Sequence, residues 1–293
     1  DRELFNVGED VDAPYGIMVR SANMLDMEFN PELRAIARAG AGVNNIPIDR
    51  CTEHGVVVFN TPGANANAVK ELTLCSLFLA SRDIRSGILW EEDLKDSEDF
   101  SKVIEKGKSA FVGPEVTGKK LGVLGLGAIG VLVANAAVKL GMEVYGYDPY
   151  ISVNSAWSLS KWVRHVTDLN ELLSECDYIT LHMPANEQTR NIINKESIAK
   201  MKDGAIVINT SRGPAIVEAD LADALTSGKL RAAAMDVVAK EPIPTDSPLL
   251  SAPNCMITPH MAWAPKESRQ RIMDCTKRSI EAFLAGKPIN RVN

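Results

Sequence analysis

Gly125-Leu126-Gly127-Ala128-Ile129-Gly130 is the stretch whose surroundings decide the fold. A short apolar run, Leu121 to Leu124, precedes it and reads as a strand. Val131 to Leu140 follows with helical spacing and stops at Gly141, a C-cap signal. A second strand, Glu143 to Tyr147, ends at Asp148, 18 residues past Gly130. Strand, glycine turn, helix, strand and terminal acid together predict a dinucleotide-binding unit. Gly125, Gly127 and Gly130 let backbone approach a pyrophosphate, and the helix start offers unpaired N–H groups with a partial positive charge. Asp148 would accept hydrogen bonds from both adenosine ribose hydroxyls. Its charge would repel a 2′-phosphate, which predicts NAD rather than NADP. The alternative, a glycine-rich turn in an ordinary α/β domain, has no need of an acid at the second strand end.

The rest of the chain keeps the same rhythm. Gly16 to Val19 reads as a strand, Pro31 to Arg38 as a helix, Asp49 to His54 as a short helix and Gly55 to Phe59 as a strand. Asn60 to Gly63 reads as a turn and Ala66 to Arg82 as a long helix. Glu91 to Lys108 is highly charged and reads as a solvated connection. Past Asp148, strands are predicted over Tyr178–Met183, Gly204–Asn209, Ala232–Met235 and Met256–Thr258. Helices lie between them, at Leu169–Leu173, Lys195–Lys200 and Glu218–Thr226. This alternation implies an α/β fold with a parallel, doubly wound sheet. Pro265 to Ala285 is one amphipathic helix, expected to pack back on the first domain.

Size and charge narrow the function. A length of 293 residues suits two domains, and 45% hydrophobic with 24% charged residues is an ordinary soluble composition. A net charge of −6 with no basic run argues against nucleic acid or an anionic membrane as partner. No apolar stretch is long enough to span a bilayer. Cys51, Cys75, Cys176, Cys255 and Cys275 are scattered without metal spacing, so no metal is expected and the cysteines read as thiols of a reducing cytoplasm. The chain opens on Asp1 rather than Met, so a trimmed start is expected.

Ligands of an open parallel sheet bind beyond the carboxyl ends of its strands. Those ends deliver Met183-Pro184, Asn209-Thr210-Ser211-Arg212-Gly213, Asp236 and Thr258-Pro259-His260, with Glu241 in the loop after Asp236. An NAD enzyme acting on an alcohol must move a proton as well as a hydride, and histidine suits the proton. A carboxylate orients such a ring, and an arginine pairs with a substrate carboxylate. Arg212, Glu241 and His260 therefore form a candidate catalytic set for a 2-hydroxy acid. Asp236 could cap a turn or hold the nicotinamide amide. His54, His165 and His182 read as structural. Trp90, Trp157 and Trp162 read as packing groups rather than stacking platforms, and Trp263, three residues past His260, is the exception.

These residues resemble the D-isomer-specific 2-hydroxyacid dehydrogenase family, and within it the members acting on D-3-phosphoglycerate. The family's SRG turn matches Ser211-Arg212-Gly213, its DV…EP segment matches Asp236–Pro242, and its PH segment matches Pro259-His260. The resemblance implies cofactor contacts at Ala128, Ile129, Asp148, Met183, Thr210, Asp236 and Ala262. Val19-Arg20-Ser21 resembles a motif whose arginine meets the substrate phosphate, although Arg20 reads equally as a surface ion-pair member. Arg38 to Asn45 resembles the loop whose backbone at Ala41, Gly42 and Val43 receives the substrate carboxylate, and Asn65 matches a substrate-facing asparagine. The implied fold is a Rossmann domain over 89–262 with a smaller flavodoxin-like substrate domain formed by 1–88 and 263–293. The implied activity is NAD-dependent oxidation of D-3-phosphoglycerate, the first step of serine biosynthesis, in a cytoplasmic homodimer whose domains close on substrate. Met261-Ala262-Trp263-Ala264-Pro265 departs from the usual PHLGAST continuation and is reminiscent of hydroxypyruvate or glyoxylate reductases, the nearest alternative. An NAD-sensing corepressor is the alternative from another class. The chain stops after one helix, so feedback through a C-terminal regulatory module is not expected.

Overall fold

The computed structural model describes Gly8 and residues 11–293. The chain forms two compact units, one of Asp1–Asn65 with Ala264–Asn293 and one of Ala66–Trp263. In the first, β1 (Gly16–Val19), β2 (Ala35–Arg38) and β3 (Val57–Phe59) pair in parallel in the order β1-β2-β3, with helix α1 (Ile48–Glu53) before β3. Val19, Leu33, Ile36, Cys51 and Val58 make its core.

One expected element is overturned here. Pro31–Arg38 is not a helix; its last four residues are the middle strand of this sheet. Glu32-Leu33-Arg34-Ala35 favours helix locally, but Ile36 is completely buried between two parallel neighbours. Pairing on both sides outweighs a propensity difference of a few tenths of a kcal/mol per residue.

The second unit opens with α2 (Ala66–Arg82), α3 (Ile84–Asp93) and α4 (Phe100–Gly107). The segment expected to be a solvated connection is thus largely helical, although no residue of α3 or α4 is buried. Its charges alternate with Phe100, Val103 and Ile104 at helical spacing, and on either side of it Trp90 rests on Phe111 with ring centroids 5.3 Å apart. Seven parallel strands follow: β4 (Lys120–Leu124), β5 (Glu143–Tyr147), β6 (Val163–His165), β7 (Tyr178–Leu181), β8 (Ala205–Asn209), β9 (Leu230–Met235) and β10 (Cys255–Ile257). Between them run α5 (Ala128–Lys139), α6 (Val153–Ser158), α7 (Leu169–Glu175), α8 (Lys195–Lys200) and α9 (Glu218–Thr226). The chain then rejoins the first unit with α10 (Lys266–Leu284).

The strand order is β10-β9-β8-β7-β4-β5-β6, so its direction reverses between β4 and β7. Both faces are covered. Ala205 and Val207 enter one core with Leu172, Leu173 and Leu221, while Ile206 and Ile208 enter the other with Leu77, Val133 and Ala137. Burial on both faces explains why these strands read as continuous apolar runs. The division falls at 65/66, earlier than the expected 88/89. The cause is α2, which buries Leu77 and Ala80 on the large sheet and hydrogen-bonds Ser81 to Tyr178 at 2.9 Å.

Gly130 sits where α5 meets the turn above β4, and a Cβ there would lie 1.8 Å from the Gly125 carbonyl oxygen. At Gly127 a Cβ would meet nothing within 4 Å. Gly130→Ala is expected to lower the unfolding free energy by at least about 2 kcal/mol in urea titrations, with Gly127→Ala close to wild type.

Candidate active site

The reversal point places two loops side by side. The Gly125 N–H donates to the Tyr147 carbonyl, and the His182 N–H donates to that of Leu124. Asp148, at the end of β5, is fastened to the glycine turn: its two oxygens accept the N–H groups of Leu126 at 2.8 Å and Tyr150 at 2.9 Å. Each carboxylate oxygen keeps a further lone pair for a ribose hydroxyl. Open space over Gly127 and the start of α5 at Ala128 and Ile129 leave backbone N–H groups available to a pyrophosphate. The donor set therefore fits a dinucleotide. Met183 and Pro184 follow β7 on the same rim, with the Pro184 carbonyl accepting the Thr189 hydroxyl at 2.6 Å.

The end of β8 is wired internally. Asn209 Oδ1 accepts the Ser211 N–H at 3.0 Å and its hydroxyl at 2.9 Å, while Asn209 Nδ2 donates to the Arg212 carbonyl. Thr210 meets Thr73 of α2, Oγ1 to Oγ1, at 2.9 Å. Gly213 lets this turn lie against the β9 loop, because a Cβ there would be 1.9 Å from the Val238 carbonyl oxygen. That contact brings Arg212 beside the Glu241 loop. The guanidinium pKa of Arg212 is lowered by burial, and the opposite charge of Glu241 partly offsets this.

Glu241 Oε2 lies 2.7 Å from His260 Nδ1. Both side chains are about half-exposed, so the pair adds little to stability and serves to orient the ring. Among the described residues Nε2 of His260 has no hydrogen-bond partner. Asp236, at the end of β9, is 2% exposed and holds the histidine's flanks. It accepts the Thr258 hydroxyl at 2.6 Å, the Met261 N–H at 2.8 Å and the Ala262 N–H at 3.0 Å. Sequence reasoning named Asp236 and Ala262 but not this junction between them. It placed Asn209 and Thr258 on the rim without giving either a role, and it read Thr73 only as a residue of the long helix. Nothing local marks Thr73, 137 residues from its partner.

In the smaller unit, Arg20 and Ser21 follow β1, and Ala41, Gly42 and Val43 follow β2, beyond the carboxyl ends of both strands. The loop is braced, with Asn60 Nδ2 donating to the Ala41 carbonyl at 2.7 Å and the Ala39 N–H to that of Val19. The pKa of Arg20 is lowered first by loss of surrounding solvent and then by the like charge of Arg269 on α10. Asn65 ends the segment just before α2. Among the described residues there is no acidic, histidine or cysteine cluster able to hold a metal, and no helix long and apolar enough to cross a membrane.

A family model described as the D-isomer specific 2-hydroxyacid dehydrogenase NAD binding domain matches residues 83–262, more than half the chain. The chain belongs to the D-isomer-specific 2-hydroxyacid dehydrogenase family. Its cofactor is NAD, and its chemistry is that of an NAD-dependent dehydrogenase of 2-hydroxy acids. It is 41% identical to a hydroxypyruvate reductase of Blautia hydrogenotrophica, over 90% of this chain and 79% of that one. It is 40% identical to a D-3-phosphoglycerate dehydrogenase of Methanocaldococcus jannaschii, over 97% of this chain and 52% of that one. The chain thus spans about half the length of the phosphoglycerate dehydrogenases it matches. Among solved structures, the D-lactate dehydrogenase of Aquifex aeolicus complexed with NAD and lactic acid superposes with a TM-score of 0.78 at 29% identity, covering 93% of this chain and 83% of that one.

His182 lies directly under the glycine turn and plays the structural part expected of it. It is buried, Nε2 is 3.0 Å from Thr180 Oγ1, and Nδ1 has no partner. Burial lowers its pKa to about 3 from 6.5. Between these values the unfolded chain binds a proton that the folded chain refuses. Stability is therefore complete above the unfolded pKa and is lost as pH falls, by up to about 1.4 kcal/mol per pH unit. Urea titrations from pH 6.5 to 4.5 should show this loss, and His182→Gln should have a shallower slope over the same range.

Proposed function

We propose that the chain oxidises D-3-phosphoglycerate to 3-phosphohydroxypyruvate with NAD, the entry step to serine. The observation that carries the chemistry is the 2.7 Å contact between Glu241 and His260 Nδ1. With Nδ1 committed to the carboxylate, His260 takes the hydroxyl proton of the substrate at Nε2. Glu241 stabilises the imidazolium that results. NAD, when bound, would supply the hydride acceptor for the hydrogen on the substrate's C2. Gly125, Gly127, Ala128, Ile129 and Gly130 would hold its pyrophosphate, Asp148 its adenosine ribose, and Met183, Pro184, Thr210, Ser211, Asp236 and Ala262 would contact its nicotinamide half.

Arg212 anchors the substrate carboxylate by charge-assisted hydrogen bonds, with the backbone of Ala41, Gly42 and Val43. Arg20 and Ser21 take the phosphate, and Asn65 the substrate hydroxyl side. A hydroxypyruvate reductase is the second reading, supported by the 41% identical relative of comparable length. Five unpaired cysteines suit a reducing cytoplasm, and the exposed helices α3 and α4 suit a homodimer arm.

His260→Asn should cut kcat by at least about a hundredfold, with the Kd for NADH unchanged. Turnover at the wild-type rate would remove the acid–base assignment. Arg20→Ala should raise KM for phosphoglycerate by about tenfold or more while leaving KM for hydroxypyruvate near wild type. Equal effects on both substrates would favour the reductase reading.

A further inference from the structure

His260 adopts a left-handed backbone conformation, with φ of 50°. For a residue with a side chain this conformation is strained, so the surroundings must hold it there. Three contacts do so. The His260 N–H donates to the Thr258 carbonyl at 2.9 Å. The next peptide unit is gripped at both ends: its N–H, on Met261, donates to Asp236 at 2.8 Å, and its carbonyl, on His260, accepts the indole N–H of Trp263 at 2.9 Å. One peptide plane held at both ends fixes ψ of His260, and the first contact fixes φ. The direction of the Cα–Cβ bond follows from that backbone geometry, and it is the base from which the ring reaches Glu241.

We propose that Trp263 is a positioning residue of this site, acting through the backbone carbonyl of His260 rather than by stacking on a ligand. The inference rests on the acid–base role given to His260 above. Its physical basis is the indole N–H, a donor without acceptor capacity that phenylalanine lacks. The carbonyl is exposed at the rim, where water competes for it. A side-chain donor three residues away on the same loop makes the bond at little further loss of freedom. Asp236 secures the flanks of the loop, while Trp263 secures the histidine's own carbonyl.

The test separates the N–H from the ring. Trp263→Phe removes the donor. Replacement by the sulfur isostere β-(3-benzothienyl)alanine removes only the N–H and keeps shape and packing, and 7-azatryptophan keeps the N–H. With the 2-keto acid that wild type reduces fastest, the Phe and benzothienyl proteins are expected to lose about tenfold in kcat. Their Kd for NADH and their urea midpoints should stay at wild-type values, and 7-azatryptophan should restore kcat. The primary isotope effect with deuterated NADH should rise in the impaired proteins, because a misplaced acid slows the chemical step itself. A benzothienyl protein with wild-type kcat overturns the proposal, since packing alone would then explain the residue. Wild-type protein inert toward every 2-keto acid would overturn the parent reading, and this inference with it. An active wild type with an unimpaired isostere overturns this inference alone.

Discussion

Every strand of the larger sheet runs in the same direction, so every carboxyl end falls on one edge. That constraint organises the molecule. The order reverses between β4 and β7, and the connections leaving these two strands depart on opposite faces and open a crevice there. The glycine turn, Asp148, Met183, the Asn209–Gly213 turn, Asp236 and the His260 loop all hang from this edge. They come from stretches more than a hundred residues apart, yet none needs a special device to reach the others. Parallel pairing, buried on both faces, delivers them.

Energetics and chemistry divide within that edge. Stability comes from the two apolar layers and from fully satisfied buried polar groups, of which Asp236 with its three donors is the clearest. The Glu241–His260 pair contributes little to it, because a half-exposed ion pair is weak in water. What the pair supplies is direction: one ring nitrogen is committed and the other presented. Arg212 lies between the two regimes, losing solvent enough to lower its pKa while Glu241 sustains its charge. A partly desolvated guanidinium of this kind gains more from an arriving carboxylate than a surface arginine does.

Much of the fold was legible because hydrophobic patterning is loud where an element is buried. Ala66–Arg82, Glu143–Tyr147, Lys195–Lys200 and Glu218–Thr226 have the same limits in the structure as in the sequence reading. The misreadings have separate causes. Ala35–Arg38 lacks any local strand signal, and only its two parallel neighbours make it one. The charged stretch after residue 91 lost its helices to a composition argument, although Phe100, Val103 and Ile104 keep the spacing of one helical face. The boundary at 65/66 could not be seen because α2 gives no sign in its own sequence of which sheet it covers.

The site divides along the same line. Sequence by itself determined the chemistry on offer: a glycine turn ahead of a helix, an acid at a strand end, and an arginine, a glutamate and a histidine following three successive strands. Those are properties of residue type and of spacing along the chain, and both are written locally. The tertiary structure alone decided the pairings. Thr73 reaches Thr210, Asp236 ties together the loop that carries His260, and the indole of Trp263 turns back onto a carbonyl. Hydrogen bonds are directional and short, and their partners are chosen by where packing brings two loops, which no period or motif in the sequence encodes.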